Sequence, residues 1–258
     1  MTDRYAVIGH PVAHSKSPQI HSAFAQGTGQ DIDYTRLEAP LDAFAAVASA
    51  FRDGGGKGLN VTVPFKLQAA ELATDRHEAV RIAGAANALK FSGNRIEAEN
   101  FDGVGLVRDI EHNLGLPLGG RRVLVLGAGG AGSAIVISML EAGAAEVAVH
   151  DVDGARADKI VGLLQGRFEG RVRAASGDPT GFDVVSNATP MGMADGDPLP
   201  LDPAKLAPSM FVGDVVAGHG ETPLIKAARA AGCRVADGDA MVVAVLDVMC
   251  DFVLDAWK

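Results

Sequence analysis

The feature that most constrains this chain is an apolar run followed by a glycine-rich turn at residues 123–132, Val-Leu-Val-Leu-Gly-Ala-Gly-Gly-Ala-Gly. Four consecutive apolar residues are typical of a parallel strand that is buried on both faces. Gly127, Gly129 and Gly132 have the spacing G-x-G-x-x-G, and the apolar residues that follow indicate a helix. This order predicts a dinucleotide-binding turn, with a pyrophosphate at the helix N-terminus. The alternative is a tight turn that binds no ligand.

A second predicted strand, residues 146–150, ends at Asp151. This acidic residue comes roughly 20 positions after the glycines, where dinucleotide-binding folds hold the ribose hydroxyls of NAD. NADP would need a cation there for its 2′-phosphate, and Asp151 would repel that phosphate. We therefore expect NAD as the cofactor and NADP to be less suited. The alternative is that Asp151 is an exposed strand end without a ligand.

Composition excludes several classes of protein. The chain has 258 residues, 48% of them apolar, and a net charge of −9, which argues against a nucleic-acid partner. No apolar run approaches the length of a membrane span, and the first residues do not have the pattern of a signal peptide. Cys233 and Cys250 are isolated, and no residues have the spacing of metal ligands. We expect a cytoplasmic protein without a metal.

Two residues of the first half are candidates for proton transfer. Lys66 follows a short β-branched strand that Pro64 ends, and Asp102 lies before a predicted helix. Both are expected near the carboxyl ends of strands, where α/β sheets bind their ligands. A lysine whose pKa is lowered by burial can take the proton of an alcohol while a carboxylate orients the amine. The alternatives are an exposed lysine and a helix cap.

The remaining polar candidates in this half are weaker. Ser15 and Ser17 could bind a carboxylate or a hydroxyl, or could simply belong to a loop and a helix start. Asn60, Thr62 and Asn87 could do the same or could satisfy backbone groups at strand ends.

The pattern of elements predicts two α/β domains. We place the first at residues 1–103 and a Rossmann-type dinucleotide-binding domain at residues 104–238. The last helix, predicted from Ala240 to Trp257, is apolar over most of its length and must therefore be buried. We expect this C-terminal segment, 239–258, to return to the first domain.

Taken together, these motifs resemble the shikimate/quinate dehydrogenase family over nearly the whole chain. The resemblance rests on five segments in family order: His14-Ser-Lys-Ser-Pro18, Gly58-Leu-Asn-Val-Thr-Val-Pro-Phe-Lys66, Ala86-Asn87, Asn100-x-Asp102-Gly103 and the glycine turn. It implies a substrate-binding catalytic domain followed by a domain for a nicotinamide cofactor. It also implies reversible oxidation of a ring alcohol of a cyclic polyhydroxy acid such as shikimate or quinate.

The resemblance assigns roles to individual residues. Lys66 and Asp102 match the catalytic pair, and contacts to the substrate are implied for Ser15, Ser17, Asn60, Thr62 and Asn87. The segments 151–156 and 187–193 resemble the branch of the family that uses NAD. Contacts to the cofactor are implied for Gly127, Ala128, Gly129, Gly130, Ala131, Gly132, Asp151, Arg156, Thr189, Pro190, Met191, Val215, Gly238 and Met241.

The chain departs from the family at four positions. Phe101 replaces a usual Thr, Ala88 another Thr, Ala217 a Tyr and Val245 a Gln. Each lost hydrogen bond could weaken binding by about 1 kcal/mol. We therefore expect weak affinity for shikimate, or a less polar hydroxy acid as the substrate. The rival hypothesis is a non-catalytic binding protein with the same fold. The expected partner is a small hydroxy acid, and the expected state is a monomer or homodimer.

Overall fold

The structure, a computed structural model, describes residues 2–194, 196–218 and 220–254. The chain divides into two compact units: residues up to Phe101 together with those from Val245 onward form unit 1, and Asp102–Ala244 form unit 2. Asp102 and residues 239–244 therefore belong to unit 2 by their packing. The assignment of a substrate domain to 1–103 with 239–258, and of a cofactor domain to 104–238, stays a prediction.

Unit 1 is built on one mixed six-stranded sheet with the order β2-β1-β3-β5-β6-β4. Its elements are β1 (Asp3–Gly9), α1 (Ser17–Gly27), β2 (Ile32–Glu38), α2 (Phe44–Asp53), β3 (Gly56–Val61), α3 (Lys66–Leu72), β4 (Asp75–Arg76), α4 (Glu78–Ala83), β5 (Ala88–Ser92), β6 (Arg95–Glu99) and α10 (Leu246–Leu254). β1 pairs in parallel with β2 and β3, whereas β5 pairs antiparallel with β3 and with β6. The carboxyl end of β3 therefore meets the start of β5.

A hydrophobic core lies between this sheet and its helices. Phe44 of α2 stacks on Phe65, which precedes α3, with ring centroids 5.1 Å apart. Both rings are buried together with Ile8, Leu59 and Leu89 of the central strands. Successive residues of the central strands are buried, with little alternation of apolar and polar side chains. This pattern is typical of a sheet that is covered on both faces.

Unit 2 is built on a parallel sheet with the order β12-β11-β10-β7-β8-β9. Its elements are α5 (Asp102–Arg108) with a π-helical turn (Asp109–Asn113), β7 (Arg122–Leu126), α6 (Gly130–Glu141), β8 (Glu146–His150), α7 (Gly154–Gln165), β9 (Val172–Ala174), β10 (Val184–Asn187), a 3₁₀ turn (Pro203–Lys205), β11 (Phe211–Asp214), α8 (Pro223–Ala230), β12 (Arg234–Ala236) and α9 (Gly238–Ala244). Read from β9, this is the strand order 3-2-1-4-5-6 of the Rossmann fold. The predicted fold class is confirmed.

The order of strands reverses between β7 and β10, and ligands bind at such a switch point in open α/β sheets. β7 lies at the centre, and residues 123–126 are fully buried, as the apolar run predicts. Leu126 at its end is level with His150 of β8 and with Asn187 of β10. The carboxyl ends of these strands therefore form one edge, where the glycine turn begins.

The apolar C-terminal sequence forms two helices where one was predicted. α9 ends at Ala244, α10 begins at Leu246, and Val245 is a turn residue between them. α10 packs on β3 and β5, so the chain from Val245 onward returns to unit 1, whereas residues 239–244 of the predicted segment belong to unit 2. Residues 255–257 of the predicted helix lie outside the described residues. None of the helices in the described ranges is long and apolar enough to cross a bilayer.

Candidate functional site

Ser15 and Ser17 lie in the loop after β1 and at the start of α1. Their hydroxyl oxygens are 3.1 Å apart, and the backbone N–H of Ser17 donates to Ser15 Oγ over 3.3 Å. Arg36 of β2 fixes the loop because its guanidinium donates to the Ser15 carbonyl, with Nε at 2.9 Å. Both serines are half-buried, so two adjacent hydroxyl groups remain partly accessible to a ligand such as a carboxylate.

A buried polar chain connects the serine loop to β3. His21 Nδ1 donates to the Ser17 carbonyl over 2.9 Å, and the His21 ring stacks on Tyr34 with centroids 4.6 Å apart. The Tyr34 hydroxyl donates to Asn60 Oδ1, and Asn60 Nδ2 donates to Met249 Sδ of α10 over 2.9 Å. Burial lowers the pKa of His21 to about 4, so the ring is neutral near pH 7. Both polar ends of the Asn60 amide therefore have partners inside the protein.

Thr62 and Lys66 lie just past the carboxyl end of β3. The Thr62 N–H donates to the Ile8 carbonyl of β1 over 3.0 Å, and its carbonyl accepts the N–H of Phe65 over 3.1 Å. Lys66 is the first residue of α3, and its carbonyl accepts the N–H of Ala86 over 2.8 Å. The Lys66 side chain is half-buried, as expected of a group that can meet a ligand.

Asn87 anchors the segment that leads to Asp102. Its backbone carbonyl accepts from Val61 N over 2.8 Å, and its Oδ1 accepts from the N–H of Phe101 over 2.9 Å. The side chains of Asn87 and Asp102 are 7% exposed. In unit 2, Asp102 begins α5, and a Cβ on Gly103 would lie 2.2 Å from the Ala134 carbonyl of α6. The glycine of the Asp-Gly pair is therefore needed for α5 to pack against α6.

The glycine turn has the geometry that its spacing predicts. Gly127 has φ +99°, and a Cβ there would lie 2.9 Å from the backbone of Ala188. A Cβ on Gly132 would lie 2.0 Å from the Gly127 carbonyl, whereas one on Gly129 would meet no atom within 4 Å. Two of the glycines therefore serve the fold, and the third keeps space open at the N-terminus of α6. Gly130, Ala131 and Gly132 form the first turn of that helix, whose N–H groups suit an anion.

Asp151 is not a free acceptor at the end of β8. Its Oδ2 accepts the N–H of Ala128 over 2.7 Å, and its Oδ1 accepts the N–H of Asp153 over 2.9 Å. The carboxylate thus supports the glycine turn. Arg156, in the first turn of α7, is exposed and forms an ion pair with Asp153 at 3.5 Å.

The other predicted cofactor residues surround the ends of β10 and β11. Thr189, Pro190 and Met191 form the loop after β10, and Thr189 Cγ2 lies 2.9 Å from where a Gly127 Cβ would be. Val215 follows β11, and its carbonyl lies 2.7 Å from the Cβ position of Gly238 at the start of α9. The Gly238 position therefore allows α9 to approach β11, while Met241 of the same helix is buried.

Sequence reasoning missed a set of buried polar residues behind these loops: Asn187, Asp214 and Thr222. Asp214 Oδ2 accepts from the Thr222 hydroxyl over 2.6 Å, and Asp214 Oδ1 accepts from Asn187 Nδ2 over 3.0 Å. Asn187 and Asp214 are fully buried. Polar residues at the ends of two consecutive apolar strands were the available signal.

The structure thus gathers the predicted residues into two groups. Within unit 1, Ser15, Ser17, Asn60, Thr62, Lys66 and Asn87 lie along the carboxyl ends of β1 and β3 and the start of β5. Within unit 2, the predicted cofactor residues lie along the carboxyl ends of β7, β8, β10 and β11, and Asp102 begins α5. Among the described residues, no group of three or more His, Cys, Asp or Glu could hold a metal.

Fold and site define a two-unit α/β protein whose second unit is a Rossmann-type domain. Residues 7–89 match the family model of the shikimate dehydrogenase substrate binding domain. The shikimate dehydrogenase (NADP(+)) of Alkalilimnicola ehrlichii is 46% identical over 246 residues, which cover 94% of this chain and 90% of that one. That of Methylobacillus flagellatus is 44% identical over 245 residues, 93% of this chain and 90% of that one. The chain belongs to the shikimate dehydrogenase family.

A solved structure agrees with this assignment. The Ael1 enzyme from Pseudomonas putida superposes with a TM-score of 0.89 at 44% identity, covering 98% of this chain and 93% of that one. Both curated relatives are named as enzymes, so the comparisons give the non-catalytic alternative no support.

The expectation that NAD is favoured over NADP is wrong. Both curated relatives are named as NADP(+) enzymes, as are those from Acidovorax and Dechloromonas aromatica. The physical reason lies in the role of Asp151. Because its two oxygens accept hydrogen bonds from Ala128 and Asp153, this carboxylate has a structural purpose without any ribose, and its presence did not identify the cofactor.

Proposed function

We propose that this protein is an NADP-dependent dehydrogenase that interconverts shikimate and its 3-dehydro acid. The observation that carries the proposal is the identity of 44% to 46% over nine-tenths of relatives named shikimate dehydrogenase (NADP(+)). The open space at Gly129 beside the N-terminus of α6 supports it, because no atom lies within 4 Å of a Cβ position there to hinder the approach of a phosphate.

Residues of unit 1 bind the substrate in this proposal. The adjacent hydroxyls of Ser15 and Ser17 donate to its carboxylate, and Thr62 and Asn87 contact its ring hydroxyls. Asn60 shapes the site, since both ends of its amide already have partners in Tyr34 and Met249.

Lys66 and Asp102 carry out the proton chemistry. NADP, when bound, supplies the hydride acceptor. As the C–H bond of the ring alcohol breaks and its hydride leaves, the hydroxyl proton passes to the amine of Lys66 and a carbonyl forms. Asp102, nearly buried at the start of α5, orients the hydroxyl. In the reverse direction Lys66 returns the proton to the carbonyl oxygen.

Residues of unit 2 hold the cofactor. The glycine turn binds the pyrophosphate, and Thr189, Met191, Val215 and Gly238 contact the nicotinamide half. The exposed guanidinium of Arg156 meets the 2′-phosphate. Its ion pair with Asp153 is long and exposed, so replacing Asp153 by a phosphate as the partner costs little free energy.

The test is an absorbance assay of NADPH and NADH formation with shikimate, quinate and simpler alicyclic hydroxy acids. We expect the highest kcat/KM with shikimate and NADP+. The panel also addresses the weak affinity that Phe101, Ala217 and Val245 suggest. Absence of turnover with shikimate under either cofactor would overturn the proposal.

A matched pair of variants tests the role of Lys66. Lys66→Met keeps the length of the side chain and removes the amine, and it should lower kcat by about 10²–10⁴-fold. Lys57→Met changes an exposed lysine of β3 and should leave kcat unchanged. If Lys66→Met retains wild-type kcat, another group transfers the proton.

A further inference from the structure

Asp214 is a fully buried carboxylate at the end of β11 for which the proposed chemistry has no direct use. Three donors converge on it: Asn187 Nδ2 at 3.0 Å, the Val216 N–H at 3.2 Å and the Thr222 hydroxyl at 2.6 Å. Burial raises the pKa of Asp214 above its ordinary value, and these bonds oppose the rise because they favour the ionised form. Such an arrangement costs stability unless each contact is well formed.

On one side, this network is hydrogen-bonded to the loop after β10. Asn187 Nδ2 faces Asp214 and also donates to the Met191 carbonyl over 3.2 Å. Asn187 Oδ1 accepts from Thr189 twice, from N at 3.0 Å and from Oγ1 at 2.6 Å. Because the carboxylate accepts only and the Thr189 N–H donates only, the Asn187 amide has one possible orientation. Thr189 Oγ1 in turn accepts the Met191 N–H over 3.2 Å.

On the other side, the network is hydrogen-bonded to the segment after β11. Asp214 Oδ1 accepts the N–H of Val216, and this hydrogen bond holds the backbone directly after Val215. Thr222 donates to Asp214 and caps α8 by accepting the N–H of Ile225 over 3.3 Å. A Cβ on Gly238 would lie 2.6 Å from the Val216 carbonyl, so α9 begins directly on this segment. A single carboxylate thus links both loops that are assigned to the nicotinamide half.

We propose that Asp214 is a positioning residue for the nicotinamide half of the cofactor, acting through Asn187 and the backbone of Val216. It touches no atom of the cofactor. This inference rests on the proposed function, because it takes Thr189, Met191 and Val215 as cofactor contacts. In addition, the nicotinamide half of the dinucleotide site depends on the Asp214 network, whereas the adenosine half does not.

The sheet order makes this separation testable. β8, which Asp151 follows, lies on one side of β7, and β10 and β11 lie on the other. Loss of the Asp214 network should therefore disturb the nicotinamide side and leave the adenosine side intact. The ligand 2′,5′-ADP contains the adenosine and the 2′-phosphate but no nicotinamide, and it reports on that side alone.

The experiment compares Asp214→Asn with wild type by titration with NADP+ and with 2′,5′-ADP, and by steady-state kinetics with shikimate. Asparagine keeps the shape of the aspartate side chain. Its amide NH₂ replaces one acceptor oxygen and therefore faces the donor of Asn187 or Thr222, which loses its hydrogen bond. We expect the Kd of NADP+ to rise about tenfold, in line with leaving buried donors unpaired. We expect kcat to fall by a similar factor and the Kd of 2′,5′-ADP to stay within about twofold.

Ser186→Ala is the matched control. Ser186 is fully buried on β10 next to Asn187, and its hydroxyl has no hydrogen-bond partner among the described residues. Its removal should leave kcat and both Kd values within about twofold of wild type, because an unpaired hydroxyl contributes little. A change as large as that of Asp214→Asn would show that any buried polar change disturbs this sheet, which overturns the inference.

Thr222→Val provides a second variant that keeps the carboxylate and two of its donors, and it decides the question if Asp214→Asn does not fold. It should show the same one-sided pattern with a smaller rise in the Kd of NADP+, about threefold. Equal weakening of NADP+ and 2′,5′-ADP, or lower thermal stability with unchanged kcat and Kd, would overturn the positioning role. The wild type itself tests the proposed function, since failure to bind or turn over NADP+ would refute that function independently of any variant.

Discussion

The carboxylate of Asp151 accepts a hydrogen bond of 2.7 Å from the backbone N–H of Ala128, which joins the end of β8 to the glycine turn. A negative charge is therefore held beside the proposed position of the 2′-phosphate for structural reasons. For the proposed NADP+ site we therefore expect an affinity that reflects both an ordered turn and repulsion of the phosphate.

Asp151→Asn should reduce this repulsion while its single amide oxygen still accepts from Ala128 and the exposed Asp153 N–H turns to water. We expect the Kd of 2′,5′-ADP to fall about threefold, as for removal of a half-buried like charge that solvent partly screens. Asp158→Asn removes the same charge from the exposed face of α7 and should have a smaller effect. If Asp151→Asn instead weakens 2′,5′-ADP, the carboxylate contributes to nucleotide binding directly or through the turn.

Substitutions at Gly129 and Gly132 should have different effects, the first on ligand binding and the second on the stability of the fold. Gly129 has φ −79° and space for a Cβ, so Gly129→Ala should keep the wild-type Tm and yet raise the Kd of NADP+ about tenfold or more. Gly132→Ala would place a Cβ against the Gly127 carbonyl and should lower the free energy of unfolding by more than about 2 kcal/mol. Thermal unfolding and NADP+ titration check both. Unchanged NADP+ affinity in Gly129→Ala would mean that no phosphate approaches there.

Tyr34→Phe should disturb Asn60 without touching the other predicted substrate contacts. Burial raises the pKa of Tyr34 well above its ordinary value, so its hydroxyl remains a donor to Asn60 Oδ1 at any usable pH. Its removal leaves a buried acceptor unpaired, which costs about 1–3 kcal/mol. Urea unfolding of Tyr34→Phe, Asn60→Ala and the double variant should give a coupling of about 1 kcal/mol. Additive effects would contradict a direct interaction.

His21 should make the protein less stable in acid. Its pKa is about 4 when folded and near 6.5 when unfolded, because burial disfavours the charged ring. Between these values the unfolded chain binds more protons, so stability is full above about pH 6.5 and decreases as the pH falls towards 4. The loss approaches about 3 kcal/mol below the folded pKa.

His21→Phe keeps a ring on Tyr34 and removes the titration. Urea unfolding between about pH 4.5 and 7 should show a smaller acid-side decrease in stability than wild type. Glu99 and Asp214 have raised pKa values and act in the opposite direction, but they are common to both proteins. Equal slopes in the two proteins would show that His21 does not contribute.

Local sequence was sufficient for most of the fold. The buried run 123–126, the glycine spacing after it and the apolar strands that follow specify a Rossmann-type unit, because strand and turn preferences are properties of neighbouring residues. The hairpin of β5 and β6 and the parallel strands of unit 1 could be predicted for the same reason. The single predicted C-terminal helix was wrong at Val245, since an apolar run shows no local sign of a break between helices that pack in different units.

For the candidate site, the sequence predicted which side chains lie at the ends of strands. It did not predict the hydrogen bonds that these side chains form. Gly129 belongs to a motif whose spacing already suggests a ligand, whereas the roles of Ser15 and Lys66 were implied by the family resemblance. Asp151 and Asp214 form hydrogen bonds with partners far away in the chain, 23 residues for Ala128 and 27 for Asn187. Parallel pairing of β7 with β8 and of β10 with β11 brings these groups together. A buried carboxylate takes its function from the donors around it, and those donors are set by strand pairing rather than by sequence neighbours.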